Sequence, residues 1–340
     1  MRAAVYTRYG PPEAVVEVRD AEKPVPGENE VVIAVEAAAV NPLDAVTEGR
    51  PWTLRIMTGL RRPKVTRLGV DVAGLVEAAG AEVTGVGPGE RVFGWCVDDV
   101  SGAAVWVHSR GAFAEYACVP AAMVTAKPDN VTPAQAAAAP VAAVTALQGL
   151  RDRGGVQQGQ TVLVNGAAGG VGTFAVQIAK WLGAQVTAVC STANVDMVRS
   201  IGADHVIDYT LSDFTSSKHH YDVIIDCIGN HPLSACRRVL AARGTYVAVG
   251  GPSSRWVAGL LARPIAIMVL SPFVRQKLVT FVASPSPEDL ATIRDLMAAG
   301  KVTPVIDRCY GLDEVSEAMR YQQAKHARGK VVIQTQSSQN

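Results

Sequence analysis

Paired cysteines are missing from this sequence. Six cysteines stand at positions 96, 118, 190, 227, 236 and 309 of 340 residues, and none forms a C-x-x-C pair. Their spacings match no zinc site and no disulfide framework, so a reducing cytoplasm is the expected compartment. An excess of one charge is missing too. Lys and Arg total 32 against 31 Asp and Glu, a formal net charge of +1. That balance gives no electrostatic footprint for nucleic acid or an anionic membrane, and neither partner is expected. The start, "MRAAVYTRYG", lacks the apolar run of a signal peptide. The most apolar stretch, "WVAGLLARPIAIMVL" (Trp256 to Leu270), is short for a bilayer and contains Arg263 and Pro264. It is expected to be buried or to line a pocket. No Ser–His–Asp arrangement, HExxH motif or spaced carboxylate pair stands out, and the sequence has no repeat.

What is present points to a folded chain of two domains. Hydrophobic residues make up 49% and charged residues 19%, which excludes disorder, and 340 residues exceed one ordinary core. The first third holds Val-rich runs, "EVVIAVEAAAVN", "DVAGLVEAAG", "ERVFG" and "GAFAEYACVP", broken by Gly and Pro. Short punctuated strands suggest a small β-barrel. Near Lys127 the pattern changes. Thr132, Pro133 and Gln135 form a helix start of the capping-box kind. From Thr161 apolar strands alternate with helical segments: "TVLVN", "QVTAVCS", "HVIDY", "YDVIIDCIG" and "GTYVAVGG". Continuous apolar strands between helices predict a parallel sheet covered on both faces. A further helix is expected from the cap Ser286 to the stop Gly300, then "VTPVIDRCYGL", a helix from Asp313 to about Lys325, and a last strand "GKVVIQ". The expected divisions are 1–126, 127–265 and 266–340, the last returning to complete the sheet and the first domain.

Between "TVLVN" and the next helix lies Ala167-Ala168-Gly169-Gly170-Val171-Gly172. A glycine turn between a strand and a helix brings backbone N–H groups to a pyrophosphate. Gly169 would allow the close approach, and Gly172 the packing of helix on strand. Dinucleotide binding is therefore expected. NAD-preferring folds place an acid at the end of the second strand. Here Cys190, Ser191 and Thr192 stand there instead. NADPH is favoured over NADH, although no Lys or Arg lies in that loop and Arg199 is distant.

A β domain, an inserted nucleotide domain and a returning tail together resemble the medium-chain dehydrogenase/reductase superfamily along nearly the whole chain. More narrowly, the chain is similar to the zinc-free quinone oxidoreductase (zeta-crystallin-like) branch. The carrying stretches are "AAVNPLD", "GVDVAGLVEAAG", "PGERVFG", "AAVTALQGL", "NGAAGGVG", "GADHVIDY" and "HARGKVVI". The last two also resemble relatives of the mitochondrial reticulon-interacting reductase. The resemblance implies an α/β protein: a GroES-like β-barrel catalytic domain plus an inserted Rossmann doubly wound parallel sheet. Positions that hold zinc in alcohol dehydrogenases of the superfamily match Asn41, Val70 and Val141 here. These are not zinc ligands, so no metal is expected. Without a Lewis acid, reduction of a quinone or an α,β-unsaturated carbonyl is expected rather than oxidation of plain alcohols. The substrate would be small and hydrophobic, and the protein a homodimer. Two other readings fit the same residues: a non-catalytic NADPH-binding protein, and an enoyl reductase acting on carrier-bound chains.

The resemblance also assigns candidate residues. Asn41 would donate its amide to the substrate carbonyl or the nicotinamide ribose. It equally reads as a helix N-cap followed by Pro42, with Asp44 at the third helical position. Asp44 is a second catalytic candidate, although a structural role suits it better. Asp71 reads as a buried acid paired with backbone or an Arg. Thr145 would pack against the nicotinamide, and Tyr209 would contact the 2′-phosphate. Gly250, Phe281, His326 and Arg328 would approach the nicotinamide half. "RPWTLRIMTGLRRPKVTR", 50–67, reads either as a lid over the substrate or as an amphipathic surface helix.

Overall fold

A computed structural model describes residues 1–42, 44, 60–63, 66–98, 109–249, 257–324 and 327–335, with the backbone alone for 257–262. The chain divides into two compact units. One comprises Met1–Val144, Ser284–Gly300 and Pro304–Asn340; the other comprises Thr145–Ala283 and Lys301–Thr303.

The first unit begins with a hairpin that the sequence did not announce, β1 (Arg2–Tyr6) against β2 (Val16–Asp20). Its spine is β3 (Glu30–Val40), a long run of Val, Ile and Ala. β3 pairs antiparallel with β4 (Asp71–Ala79), which pairs in turn with β5 (Arg91–Trp95). β6 (Tyr116–Pro120) joins the first half of β3, and β7 (Val124–Ala126) joins β5. β3 and β4 approach so closely at Gly74 that a Cβ there would lie 2.1 Å from the Ala34 carbonyl oxygen. Thr132 caps the helix Pro133–Ala137 with the expected reciprocal bonds to Gln135. That helix packs on β3 and β4. This packing carries the first unit through to Val144 rather than ending it at 126.

The second unit is a six-stranded parallel sheet. Its strands are β8 (Thr161–Asn165), β9 (Gln185–Cys190), β10 (His205–Asp208), β11 (Tyr221–Asp226), β12 (Leu240–Ala248) and β13 (Lys277–Thr280). Their spatial order is β10-β9-β8-β11-β12-β13. The chain runs outward from β8 to β10 and then returns to the other side of β8. The order therefore reverses between β8 and β11, and open α/β sheets bind ligands beyond the strand ends at such a reversal. The residues at those ends are Asn165 and Asp226. The short edge strand β13 was not evident in the sequence, where the pattern loosens after Gly251.

"WVAGLLARPIAIMVL" departs from expectation. It contributes a helix, Val257–Leu270, with Pro264 inside it. Ile267 is buried, but Ile265, Met268 and Val269 are 49%, 68% and 58% exposed. The segment is thus only partly buried. Among the described residues no helix is long and apolar enough to cross a membrane.

The tail returns to the first unit from Ser284. Ser286 caps the helix Pro287–Ala298, accepting from the Asp289 N–H. Then β14 (Ile306–Gly311) runs parallel to β15 (Lys330–Gln334), and β15 closes antiparallel on residues 37–40 of β3.

Candidate active site

The glycine turn follows β8 and opens the helix Gly170–Trp181. Each glycine has its own reason. Gly166 takes φ +84°, and a Cβ on it would lie 2.6 Å from Ile228. It lies one residue before the motif evident in the sequence, which starts at Ala167. A Cβ on Gly172 would lie 2.1 Å from the Gly166 carbonyl oxygen, so this glycine lets the helix start sit on the strand end. Gly169 differs: the only heavy atom near its Cβ position is the Gly166 oxygen at 3.5 Å. The space above it is open. No side chain caps this helix and its first turn has no acid. The N–H groups of Gly170, Val171 and Gly172 therefore suit a pyrophosphate, and the turn fits a dinucleotide.

Beside the turn lies a polar cluster that sequence reading did not single out. Asp226 is 1% exposed. Its carboxylate accepts from Asn165 Nδ2 at 2.9 Å, Tyr246 Oη at 2.6 Å and Arg263 at 2.8 Å, and from the N–H groups of Ile228 and Gly229. Arg263 also donates to the carbonyls of Gly229 and His231. Three strands and a helix are thereby joined where the strand order reverses. The visible signals were Asn at the end of "TVLVN" and Asp at the end of "YDVIID".

At the end of β9, Ser191 Oγ accepts from Asn194 Nδ2 at 3.0 Å. Asn194 Oδ1 is buried without a hydrogen-bond partner. Thr192 does not stand free. Its hydroxyl donates to Asp208 Oδ2 at 2.6 Å, and Thr210 donates to the other oxygen. These hydrogen bonds, Thr192 first, hold the Asp208 carboxyl below its ordinary range. The second strand does end without an acid, but β10 supplies one beside it. Tyr209 follows, 59% exposed.

The first unit gathers Asn41, Asp44, Asp71 and Lys330, each at most 4% exposed. Asn41 Nδ2 donates to Asp71 Oδ2 at 2.9 Å and to the Ala39 carbonyl at 3.2 Å. Asn41 Oδ1 accepts from Lys330 Nζ at 2.6 Å, and that ammonium lies 3.4 Å from Asp71. The other Asp71 oxygen accepts from the Val141 N–H. The expected N-cap is therefore reversed. Asp44 reaches back to the Asn41 N–H at 2.7 Å, while the Asn41 side chain turns inward. Asp71 has its backbone partner, but its cation is Lys330 rather than an Arg. Nothing in the run "HARGKVVI" marks Lys330 as part of a site. Burial pushes the Asp44 carboxyl up to about 7, and the nearby Asp71 adds to the rise; the N–H groups of Asn41 and Gly69 and the Lys330 ammonium oppose it. Burial raises Asp71 as well, against Lys330 and its N–H donors.

The remaining candidates are dispersed. Thr145 lies in the helix Pro140–Gln148. Phe281 follows β13, with its ring edge 3.4 Å from the Cβ position of Gly149 and the Arg153 guanidinium over its face. Arg328 is exposed and donates its N–H to Asp307. Gly250, His326 and most of 50–67 lie outside the described residues.

The residues at positions 41, 70 and 141 do not offer a zinc ligand set. Val70 and Val141 offer no ligand, and Asn41 Oδ1 already holds an ammonium, which opposes a divalent cation. Among the described residues no three His, Cys, Asp or Glu side chains form a metal-binding group.

The chain matches the family described as "Alcohol dehydrogenase GroES-like domain" over residues 27–129 and "Zinc-binding dehydrogenase" over residues 201–333. It is 34% identical to the mitochondrial NAD(P)H oxidoreductase RTN4IP1 of Mus musculus, over 98% of this chain and 89% of that one. It is 32% identical to the chloroplastic NADPH-dependent alkenal/one oxidoreductase of Arabidopsis thaliana, over 98% and 79%. A solved quinone oxidoreductase from Coxiella burnetii superposes with a TM-score of 0.83, at 28% identity over 99% of both chains.

Proposed function

Because the chain belongs to the medium-chain dehydrogenase/reductase superfamily, in its quinone oxidoreductase branch, we propose that it uses NADPH to reduce quinones or α,β-unsaturated carbonyl compounds without zinc. The observation that carries this reading is the Asn41 amide clamped between Lys330 and Asp71, at the position that the resemblance matches to a zinc ligand of alcohol dehydrogenases. When bound, the reduced nicotinamide supplies the hydride. The chain's own residues bind and orient. The N–H groups of Gly170, Val171 and Gly172 hold the pyrophosphate, and Gly169 leaves room for it. Ser191 and Tyr209 contact the 2′-phosphate, with Asp208 weakening that preference. Thr145 and Phe281 flank the nicotinamide half.

The longer Asn41 bond, 3.2 Å to the Ala39 carbonyl, is the one an acceptor oxygen competes for. As hydride arrives, a quinone or enone gathers negative charge on oxygen, and a fixed amide donor stabilises that charge. Asp44 holds the backbone of Asn41 rather than touching substrate. Solvent supplies the proton. A homodimer is supported by β13, an edge strand that pairs with β12 alone among the described strands, with Phe273 81% and Val282 60% exposed nearby. Six unpaired cysteines support a reducing compartment such as the cytoplasm.

The test is turnover of the purified protein with NADPH against a panel of quinones, enones, enals and simple alcohols. Reduction of at least one quinone or enone class is expected. Efficient oxidation of ethanol or benzyl alcohol, with no quinone or enone reduced, would defeat the reading.

A further inference from the structure

Burying a lysine beside an aspartate gains little stability, because desolvation of both charges offsets their attraction. Lys330 is nevertheless buried at the very start of β15. Its N–H donates to the Val305 carbonyl at 2.9 Å. The preceding Gly329 takes φ +87°, with its Cβ position only 2.3 Å from that same oxygen. A tight turn thus delivers the lysine inward. What its ammonium meets is an amide oxygen at 2.6 Å, nearer than the carboxylate at 3.4 Å.

That arrangement permits one orientation of the amide. With Oδ1 toward the ammonium, Nδ2 faces the Asp71 carboxylate and the Ala39 carbonyl, and every bond has a donor and an acceptor. A flip would set Oδ1 against the carboxylate and Nδ2 against the ammonium, leaving both mismatched. An amide whose oxygen receives a charged donor is also polarised, and its N–H groups become stronger donors.

We propose that Lys330 is a positioning residue for the reductive reaction: by donating to Asn41 Oδ1 it fixes and polarises the amide that meets the acceptor oxygen. This inference rests on the function proposed above. It assigns to a single buried ammonium the orienting work that a metal performs on its own ligands, with Asp71 as counter-charge.

The variants are Lys330→Met, which removes the donor, and Lys330→Gln, which keeps a donor without charge. Lys330→Met should lower kcat on the acceptor roughly ten- to a hundredfold while the KM for NADPH stays within about twofold. Lys330→Gln should recover part of that loss. In an Asn41→Ala background, Lys330→Met should cost little further, since the two act as a unit. Should Lys330→Met fail to fold, the charge-balanced pair Asp71→Asn with Lys330→Met takes its place. Independently of turnover, the Asn41 side-chain amide protons, followed by NMR in 15N-labelled protein, should exchange slowly in the parent and faster in the variant.

Unchanged kcat, or equal losses with and without Asn41, would overturn the proposal while leaving the function intact. A parent protein inactive on every quinone and enone would instead overturn the function, and the exchange measurement would still report on the clamp.

Discussion

Lys330 Nζ reaches Asn41 Oδ1 at 2.6 Å although 289 positions separate them in the chain. Around that bond two buried carboxylates, Asp44 and Asp71, share one ammonium. The cluster sets two carboxylates against one ammonium, and burial raises both carboxyls, Asp44 to about 7.

A pH dependence follows. Burial raises the Asp44 carboxyl in the folded protein to about 7, against about 3.9 unfolded. The folded state then binds more protons than the unfolded state between those values. Stability from this group is full below about 4 and is lost as pH rises to about 7. Thermal melts of the parent and Asp44→Asn should diverge over that window, the parent losing stability relative to the variant as pH rises. Parallel profiles would place the proton elsewhere.

Gly169→Val should fold normally and lose NADPH binding, because its Cβ points into open space that the pyrophosphate needs. Gly172→Val should instead destabilise the protein by about 2 kcal/mol or more, since its Cβ position lies on the Gly166 carbonyl. Thermal melts and a fluorescence titration with NADPH separate the two. Normal affinity in Gly169→Val would show that the dinucleotide lies elsewhere.

Cofactor choice should respond to three residues. Ser191→Ala and Tyr209→Phe should each weaken NADPH by about 1 kcal/mol and leave NADH nearly unchanged. Asp208→Asn should tighten NADPH relative to NADH by removing a carboxylate beside Thr192. Equal binding of both cofactors by the parent would remove the basis for all three.

Arg263→Met should cost about 3 kcal/mol of stability in the nucleotide unit. It takes the cation from a buried carboxylate and releases the carbonyls of Gly229 and His231. Chemical denaturation would read the loss, and a change under about 0.5 kcal/mol would show the cluster satisfied without it.

Metal removal should have no effect. EDTA should leave enone or quinone reduction intact, and elemental analysis should find less than stoichiometric zinc. One zinc per chain would show that ligands other than Asn41, Val70 and Val141 had been recruited.

The parallel sheet was legible because strands covered on both faces carry continuous apolar centres, as the Val-Leu-Val of "TVLVN" and the Val-Ile-Ile of "YDVIID" do. The caps at Thr132 and Ser286 were legible because they are local chemistry. The hairpin β1–β2 was not, since its strands are five residues each and β2, "VEVRD", is largely exposed. In the site, the glycine turn could be read from spacing alone. Lys330 could not, because a lysine in "GKVVIQ" looks like any solvated strand end, and only the pairing of β15 with β3 reveals its burial. Asp208 was overlooked for a related reason: reading the second strand by itself ignores what the third strand lays beside it.

The return of β15 to β3 has a consequence for synthesis. The nucleotide unit, apart from Lys301–Thr303, is complete once Ala283 has been made. The first unit opens the chain, yet β3 lacks a neighbour and Asn41 lacks its ammonium until residues 330–334 have emerged. The unit to which most of the earlier residues belong is therefore completed after the nucleotide unit.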